Sequence, residues 1–358
     1  MLAPPWWRKS NVVIAAIVAL GLALGMGAGL VLATKGAKRS AAETTPIASP
    51  ANASSTSLSL GPPCPLSGVS TRRGTVPQRP AVAIKVDNYP DARPQSGLDK
   101  ADVVFEEPVE GGITRLVAVF QCNQAPLIGP IRSAREPDVA IIDELSRPIF
   151  VHVGGIDPII ALINSANDDN LDCCQSSIIE HVPGRYAPFD TYTSTSAIWG
   201  LYPARKTPPS PIFTYSRSVS GVGAITASAR IPFSSTNDNT WQWNPAAGQW
   251  MLSIGGTAAT LLGGGQIGVT NVVIMTVDTW TGPWVENSEG AHEVEVDPTS
   301  GGPVEVLRNG VSISGTWSRS SISQPARLEG SDGTPITLAP GETWVEMVPS
   351  GIPVTTTP

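Results

Sequence analysis

PAVAIKVDNYPDARPQSGLDKADVVFEEPVEGGITRLVAVFQCNQAPLIGPIRSARE, residues 80–136, sets runs of strand formers among an unusual load of charge. Ala81 to Val86, Ala101 to Phe105 and Ile113 to Gln121 each read as a strand, the third entered through the Gly111-Gly112 turn. In the third, Thr114, Leu116, Ala118 and Phe120 would face one way and Ile113, Val117 and Val119 the other. A strand apolar on nearly both sides belongs in the middle of a covered sheet. Asp87, Arg93, Glu106, Glu107, Glu110, Arg115, Arg132 and Arg135 stand in or beside these strands, where charge needs a partner or a purpose.

Working outward, 358 residues suffice for two domains, and 35 Gly with 34 Pro point to many turns and β-rich structure rather than a helical bundle. Ile149 to Val153 reads as a further strand. Short helices are expected over Pro137 to Arg147, over Ile159 to Ala166 behind Asp157-Pro158, and from a Ser194 cap to Tyr202. This alternation predicts an α/β domain over residues 62–215. A β-rich second domain is expected over 230–350, with strands near 241–243, 249–254, 270–277, 304–308, 311–317, 327–328 and 343–348. Asn309-Gly310 marks a hairpin, because both residues tolerate positive φ. Residues 351–358 are expected to be a disordered tail.

Toward the amino end, Val12 to Ala33 is 22 residues without a charge, long enough to cross a bilayer as an uncleaved signal-anchor. Residues 1–11 are then cytoplasmic, and the Ser/Thr/Ala/Pro-rich residues 34–61 form an exported stalk. Gly21, Gly25 and Gly29 have the spacing that lets two such helices pack, so a homodimer through them is a candidate. Residues 1–50 carry +4 of a net −7, which leaves −11 for the remainder and speaks against nucleic acid as a partner.

Longer motifs carry a resemblance. ARPQSGL (92–98), ADVVFEEPVEGGITR (101–115), IGPIRSAR (128–135), VHVGG (151–155), YTST (192–195), NVVI (271–274), GTWSR (315–319) and LAPGETWVEMVP (338–349) occur in the order found in the YerB-like bacterial envelope proteins, which this chain resembles over about residues 62–349. The resemblance implies N- and C-terminal domains, an extracytoplasmic address on the cell membrane and no assigned activity. Two departures stand out: Cys64 has no lipidation context, so the helix anchor replaces a lipid, and Phe189 and Asp190 occupy places where relatives would have His-Asn.

Cys64 and Cys122 flank the central segment and are the preferred disulfide in an oxidising compartment. The adjacent Cys173 and Cys174 allow a vicinal bridge, separate partners or thiols. No C-x-x-C or zinc spacing occurs, so no metal or cofactor is expected. Gly263 to Gly268 fits G-x-G-x-x-G, but a strand follows where a helix is required, which makes it a loop. Asp168, Asp169 and Asp172 lack the glycine turn of a Ca²⁺ loop.

Three readings of the charged residues remain open. Arginine–carboxylate forks can lock the fold. Arg93, Glu106, Arg115, Arg132, Arg135, His152 and the amides of Gly154 and Gly155 can form a ligand site for a phosphate or carboxylate, suited to an envelope precursor, glycan or peptide. Glu107 and Glu110 can act as an acid/base pair of an envelope enzyme on glycan or peptide. His152 reads first as a satisfied structural histidine and second as a ligand at a strand end.

Overall fold

The computed structural model describes residues 61–71, 74–173, 177–219, 223–287, 290–297 and 299–358. The signal-anchor at 12–33, the Gly21, Gly25 and Gly29 face, nearly all of the 34–61 linker and Cys174 lie outside them. Among the described residues no helix is long and apolar enough to cross a membrane.

The expected middle strand is the middle of the fold. β3 (Thr114–Phe120) is buried at every position and pairs antiparallel with β1 (Val82–Asp87) on one side and β2 (Val103–Pro108) on the other. Outward from β1 run β4 (Ile149–His152) and β5 (Asp169–Asp172), both parallel. Outward from β2 run β20 (Thr343–Pro349) and β14 (Asn271–Val277), again parallel, then β17 (Gly301–Arg308), β18 (Val311–Ser318) and β19 (Arg327–Gly330), with β8 (Ala224–Ile225) also on β18. The β17–β18 turn holds Asn309 at φ 49° and Gly310 at φ 74°, the positive values a two-residue hairpin needs.

A second sheet comprises β12 (Thr257–Ala258), β11 (Gln249–Ile254), β10 (Asp238–Asn244), β9 (Ser228–Pro232) and β21 (Thr355–Thr357), with β13 (Gly268–Val269) on β11. Among the described residues two small ribbons complete the strands, β6 (Glu180–His181) with β7 (Thr191–Tyr192) and β15 (Thr279–Val285) with β16 (His292–Val296). The α-helices are short: α1 (Asp138–Asp143), α2 (Asp157–Ser165) and α3 (Thr195–Leu201), whose Ser194 hydroxyl accepts from Ala197 N at 3.2 Å as a cap.

Three layers result. One face of the large sheet (Val82, Ile84, Val104, Leu116, Ala118, Phe120, Trp344) packs on the second sheet through Trp241, Trp250 and Leu252, and on Ile198 of α3. The other (Ala83, Val103, Phe105, Val117, Val119, Val345) packs on Ile141 and Ile142 of α1 and Ile159 and Ile163 of α2. Strand alternation thus places each side chain of β3 as its sequence predicts.

Three expectations change. The described chain is mostly β with few helices, so the α/β label for 62–215 holds only locally, at β4–α2–β5. The two domains share one eleven-stranded sheet, because β20, from the second, pairs with β2 of the first. Residues 351–358 are not loose: β21 pairs with β9, and Ala227 N donates to Thr357 O at 2.7 Å.

Candidate functional site

On the helix-covered face, β1, β2 and β3 turn from apolar to charged near one end. Past Ala83 comes Lys85 and then Asp87, past Phe105 comes Glu107, and before Val117 comes Arg115, whose Cα partners are Asp87 and Glu107. The inner part is sealed. Lys85 Nζ donates to Glu107 and, at 2.7 Å, to Asp138 Oδ1 at the start of α1, and none of the three side chains is exposed. Asp138 Oδ2 accepts from Arg135 N at 2.6 Å, which fixes the loop before the helix. Burial first, then the Asp138 charge, push the Glu107 carboxyl up to about 8 against the pull of Lys85.

The outer part opens into a cleft of about 290 Å³ lined by Asp87, Tyr89, Glu110, Ile113, Arg115, Arg132, Ser133, Arg135, Phe189, Glu286 and Asn287. Arg135 is spent within the protein: Nε donates to Glu110 Oε2 at 2.9 Å, Nη2 to Glu110 Oε1 and, at 2.9 Å, to Glu286 Oε2, and Nη1 to Ala134 O at 2.8 Å. Burial would raise the Glu110 carboxyl, but the Arg135 hydrogen bonds and the Arg115 and Arg135 charges outweigh it and hold Glu110 at about 2. Arg115 is less well matched. Its Nη1 reaches Ser133 O at 3.1 Å and its Nη2 reaches Glu110 only at 3.3 Å, while the buried Nε has no partner. Arg132 meets Asp87 Oδ2 through Nε at 3.0 Å, and its side chain is 30% exposed at the cleft. At the rim, Tyr89 stacks on Phe189 with ring centroids 6.1 Å apart and planes 3° from parallel, and Tyr89 remains 43% exposed. Glu293 and Glu286 lie behind Arg135, both with carboxyls pushed up, by burial first; Glu293 reaches about 7.

Glu106 points to the opposite face and meets Glu346, its register partner on β20, beside Asn239 and Trp241 of the second sheet. Arg93 bonds Asn88 and Thr236 O and does not line the cleft. His152 is buried, with Nδ1 donating to Gly154 O (2.9 Å), Nε2 2.7 Å from Asn170 Oδ1 and the ring stacking on Phe150, and it does not line the cleft. Gly154 N is taken by Asp172 Oδ1 at 3.2 Å, and neither Gly154 nor Gly155 lines the cleft, so the expected anion cradle of Arg132, Arg135 and the glycine amides does not assemble. Glu107 is sealed and Glu110 is held by arginines, which removes the acid/base geometry expected of them. A wider groove of about 990 Å³ runs beside residues 318–329, but its buried cation, Arg319, is spent on the carbonyls of Gln324, Ile322 and Ala140. Cys64 and Cys122 form a disulfide, as expected.

Lys85, Asp138, Glu286, Glu293 and Glu346 are members of these networks beyond the site residues expected from the sequence. Lys85 and Glu346 had a signal, each being a charge within an unbroken apolar strand. Glu286 and Glu293 had none, since only the ribbon's packing brings them to Arg135.

The fold has relatives. The family sequence profiles described as "Protein of unknown function (DUF3048) N-terminal domain" and its C-terminal counterpart match residues 66–207 and 229–345. The chain belongs to this family. It is 49% identical over 90 residues to the protein named "Putative lipoprotein YerB" from Bacillus subtilis (strain 168), a match spanning 25% of this chain and 27% of that protein. The crystal structure of YerB from Bacillus subtilis superposes with a TM-score of 0.70 at 25% identity, over 83% of this chain and 99% of that one. The DUF3048 architecture is therefore this fold, with both profiles sharing one sheet.

Proposed function

We propose that this DUF3048 protein is an extracytoplasmic protein of the cell envelope, held at the membrane by residues 12–33, and that it binds an envelope ligand in the cleft at the end of β1, β2 and β3. The address follows from the apolar amino-terminal run, the disulfide and the lipoprotein name of its relative. The observation that carries the binding reading is the contrast between Arg135, whose guanidinium is consumed inside the protein, and Arg132, which lines the cleft, is 30% exposed and has terminal nitrogens that bond no described residue. A carboxylate or phosphate matches that fork, and the exposed face of Tyr89 offers a platform for a flat or pyranose ring. A glycan, peptide or lipid-linked precursor bearing an anionic group satisfies both. The fork–platform pairing favours binding over hydrolysis, because the carboxylates here are either sealed or neutralised.

The test compares the full-length protein with Arg132→Ala in pull-downs of soluble glycan–peptide fragments of bacterial wall. Retention by the native protein, lost in a variant with unchanged melting, is expected. Equal retention by both would remove the cleft from the binding role.

A further inference from the structure

Behind the cleft lies a second titratable group that binding alone does not use. Glu106 and Glu346 are opposite one another on adjacent parallel strands, on the same face, and neither is exposed. Glu106 accepts four hydrogen bonds: from Thr114 Oγ1 (2.6 Å) and Asn88 Nδ2 (3.1 Å) on Oε1, and from Asn239 Nδ2 and Trp344 Nε1 (both 3.0 Å) on Oε2. That is the full capacity of a carboxylate, so Glu106 is the ionised member. Glu346 accepts on Oε1 from Trp241 Nε1 (2.6 Å) and Asn239 Nδ2 (3.3 Å) and has no partner at Oε2, two donors against the four of Glu106, which makes it the protonated member. Burial first, then the Glu106 charge, push the Glu346 carboxyl well above the usual carboxylate range. The charged groups facing the pair are Arg93, from the loop after β1, and the two carboxyls themselves; β10, β3 and β20 otherwise present Asn239, Trp241, Thr114 and Trp344.

Asn88 joins this pair to the cleft. Its side chain is fixed by Glu106 and Thr114 on one side and by Arg93 and Gln95 on the other (Arg93 Nε 3.2 Å and Gln95 Nε2 2.8 Å to Oδ1). Its chain neighbours point the other way: Asp87 holds Arg132, Tyr89 N donates to Asp87 Oδ1 at 3.0 Å, and both residues line the cleft.

We infer that Asn88 is a positioning residue through which the shared proton of Glu106 and Glu346 sets the placement of Asp87, Tyr89 and Arg132, so that ligand affinity depends on that proton. When the pair holds one proton, Glu106 keeps Asn88 in place. When Glu346 ionises at higher pH, two buried carboxylates repel and compete for Asn239, and the segment 87–89 shifts with Glu106. The inference rests on the cleft being the binding site, but its first test needs no ligand.

In the full-length protein labelled with ¹⁵N, the indole N–H signals of Trp241 and Trp344 report the pair directly and the Tyr89 amide reports the cleft. Rising pH is expected to move all three with one common midpoint. Glu346→Gln keeps the Oε1 acceptor, and all three should lose that response. In Asn88→Ala the indoles should still titrate while the Tyr89 shift is lost. Sulfate, whose charge is constant over this range, serves as the binding probe: its Kd should rise with the same midpoint in the native protein and stay flat in Glu346→Gln. Should Glu346→Gln fail to fold, the native carboxyl ¹³C signals of Glu106 and Glu346 carry the same test. Indoles that do not titrate, or a Tyr89 response that survives Asn88→Ala, overturn the inference. A coupled Tyr89 response with no sulfate binding at any pH sinks the binding-site reading instead.

Discussion

Replacing Lys85 by Met isolates what the sealed charges do. The substitution keeps most of the side-chain volume but leaves Glu107 and Asp138 without their shared cation, at zero exposure. Removing one partner of a buried pair leaves a charge that water cannot reach, typically a loss of about 3–5 kcal/mol. Glu107, already pushed up to about 8 by burial and the Asp138 charge, would be pushed further toward its neutral form once Lys85 no longer pulls it down. For a unit of this size a loss of about 3–5 kcal/mol lowers Tm by about 6–20 °C. The sign with pH is fixed: protonating carboxylates becomes cheaper as pH falls, so the gap between Lys85→Met and the native protein should shrink from pH 7.5 to pH 5. Thermal unfolding of both proteins at the two pH values measures it. A variant as stable as the native chain at pH 7.5, or a gap unchanged at pH 5, would refute the sealed-ion account.

Arg135→Met should release Glu110 from about 2 toward its ordinary range and remove about 3 kcal/mol near neutral pH. Because Glu110 is depressed in the fold, its contribution is present above pH 4.5 and disappears as pH falls through 2, so acid titration of native and variant stability should converge at the low end. Reducing Cys64–Cys122, which closes a loop of 58 residues, should cost about 4 kcal/mol by chain entropy, read as a lower urea midpoint in dithiothreitol; no change in midpoint would place the loop's order elsewhere.

What the sequence made legible was local. Alternation in Thr114 to Phe120 announced a strand covered on both sides, Ser194 announced a helix cap, and Asn309-Gly310 announced a hairpin. What it concealed was pairing at a distance. Nothing near Val103 says that Thr343 will lie beside it, so the sequence does not reveal that the residues before and after the boundary near 215 share one sheet. The same distance hid the partners of the charges. Glu106 and Glu107 are neighbours, yet strand alternation sends one to Glu346 and the other to Lys85, so a single acidic cluster in the sequence becomes two networks on opposite faces of the sheet. Arg132 and Arg135 looked equivalent in R-S-A-R; only the fork from Glu110 distinguishes the occupied guanidinium from the available one.

β20 comes almost last in the chain and lies between β2 and β14. The strands made earlier must wait with two raw margins, Val103, Val104 and Phe105 on β2 and Val272, Val273 and Ile274 on β14, until residues 343–349 arrive to fill the gap. A product cut short before that point would offer sticky borders to its neighbours instead of a finished wall. A fragment ending near residue 215 should therefore be a poor substitute for the whole.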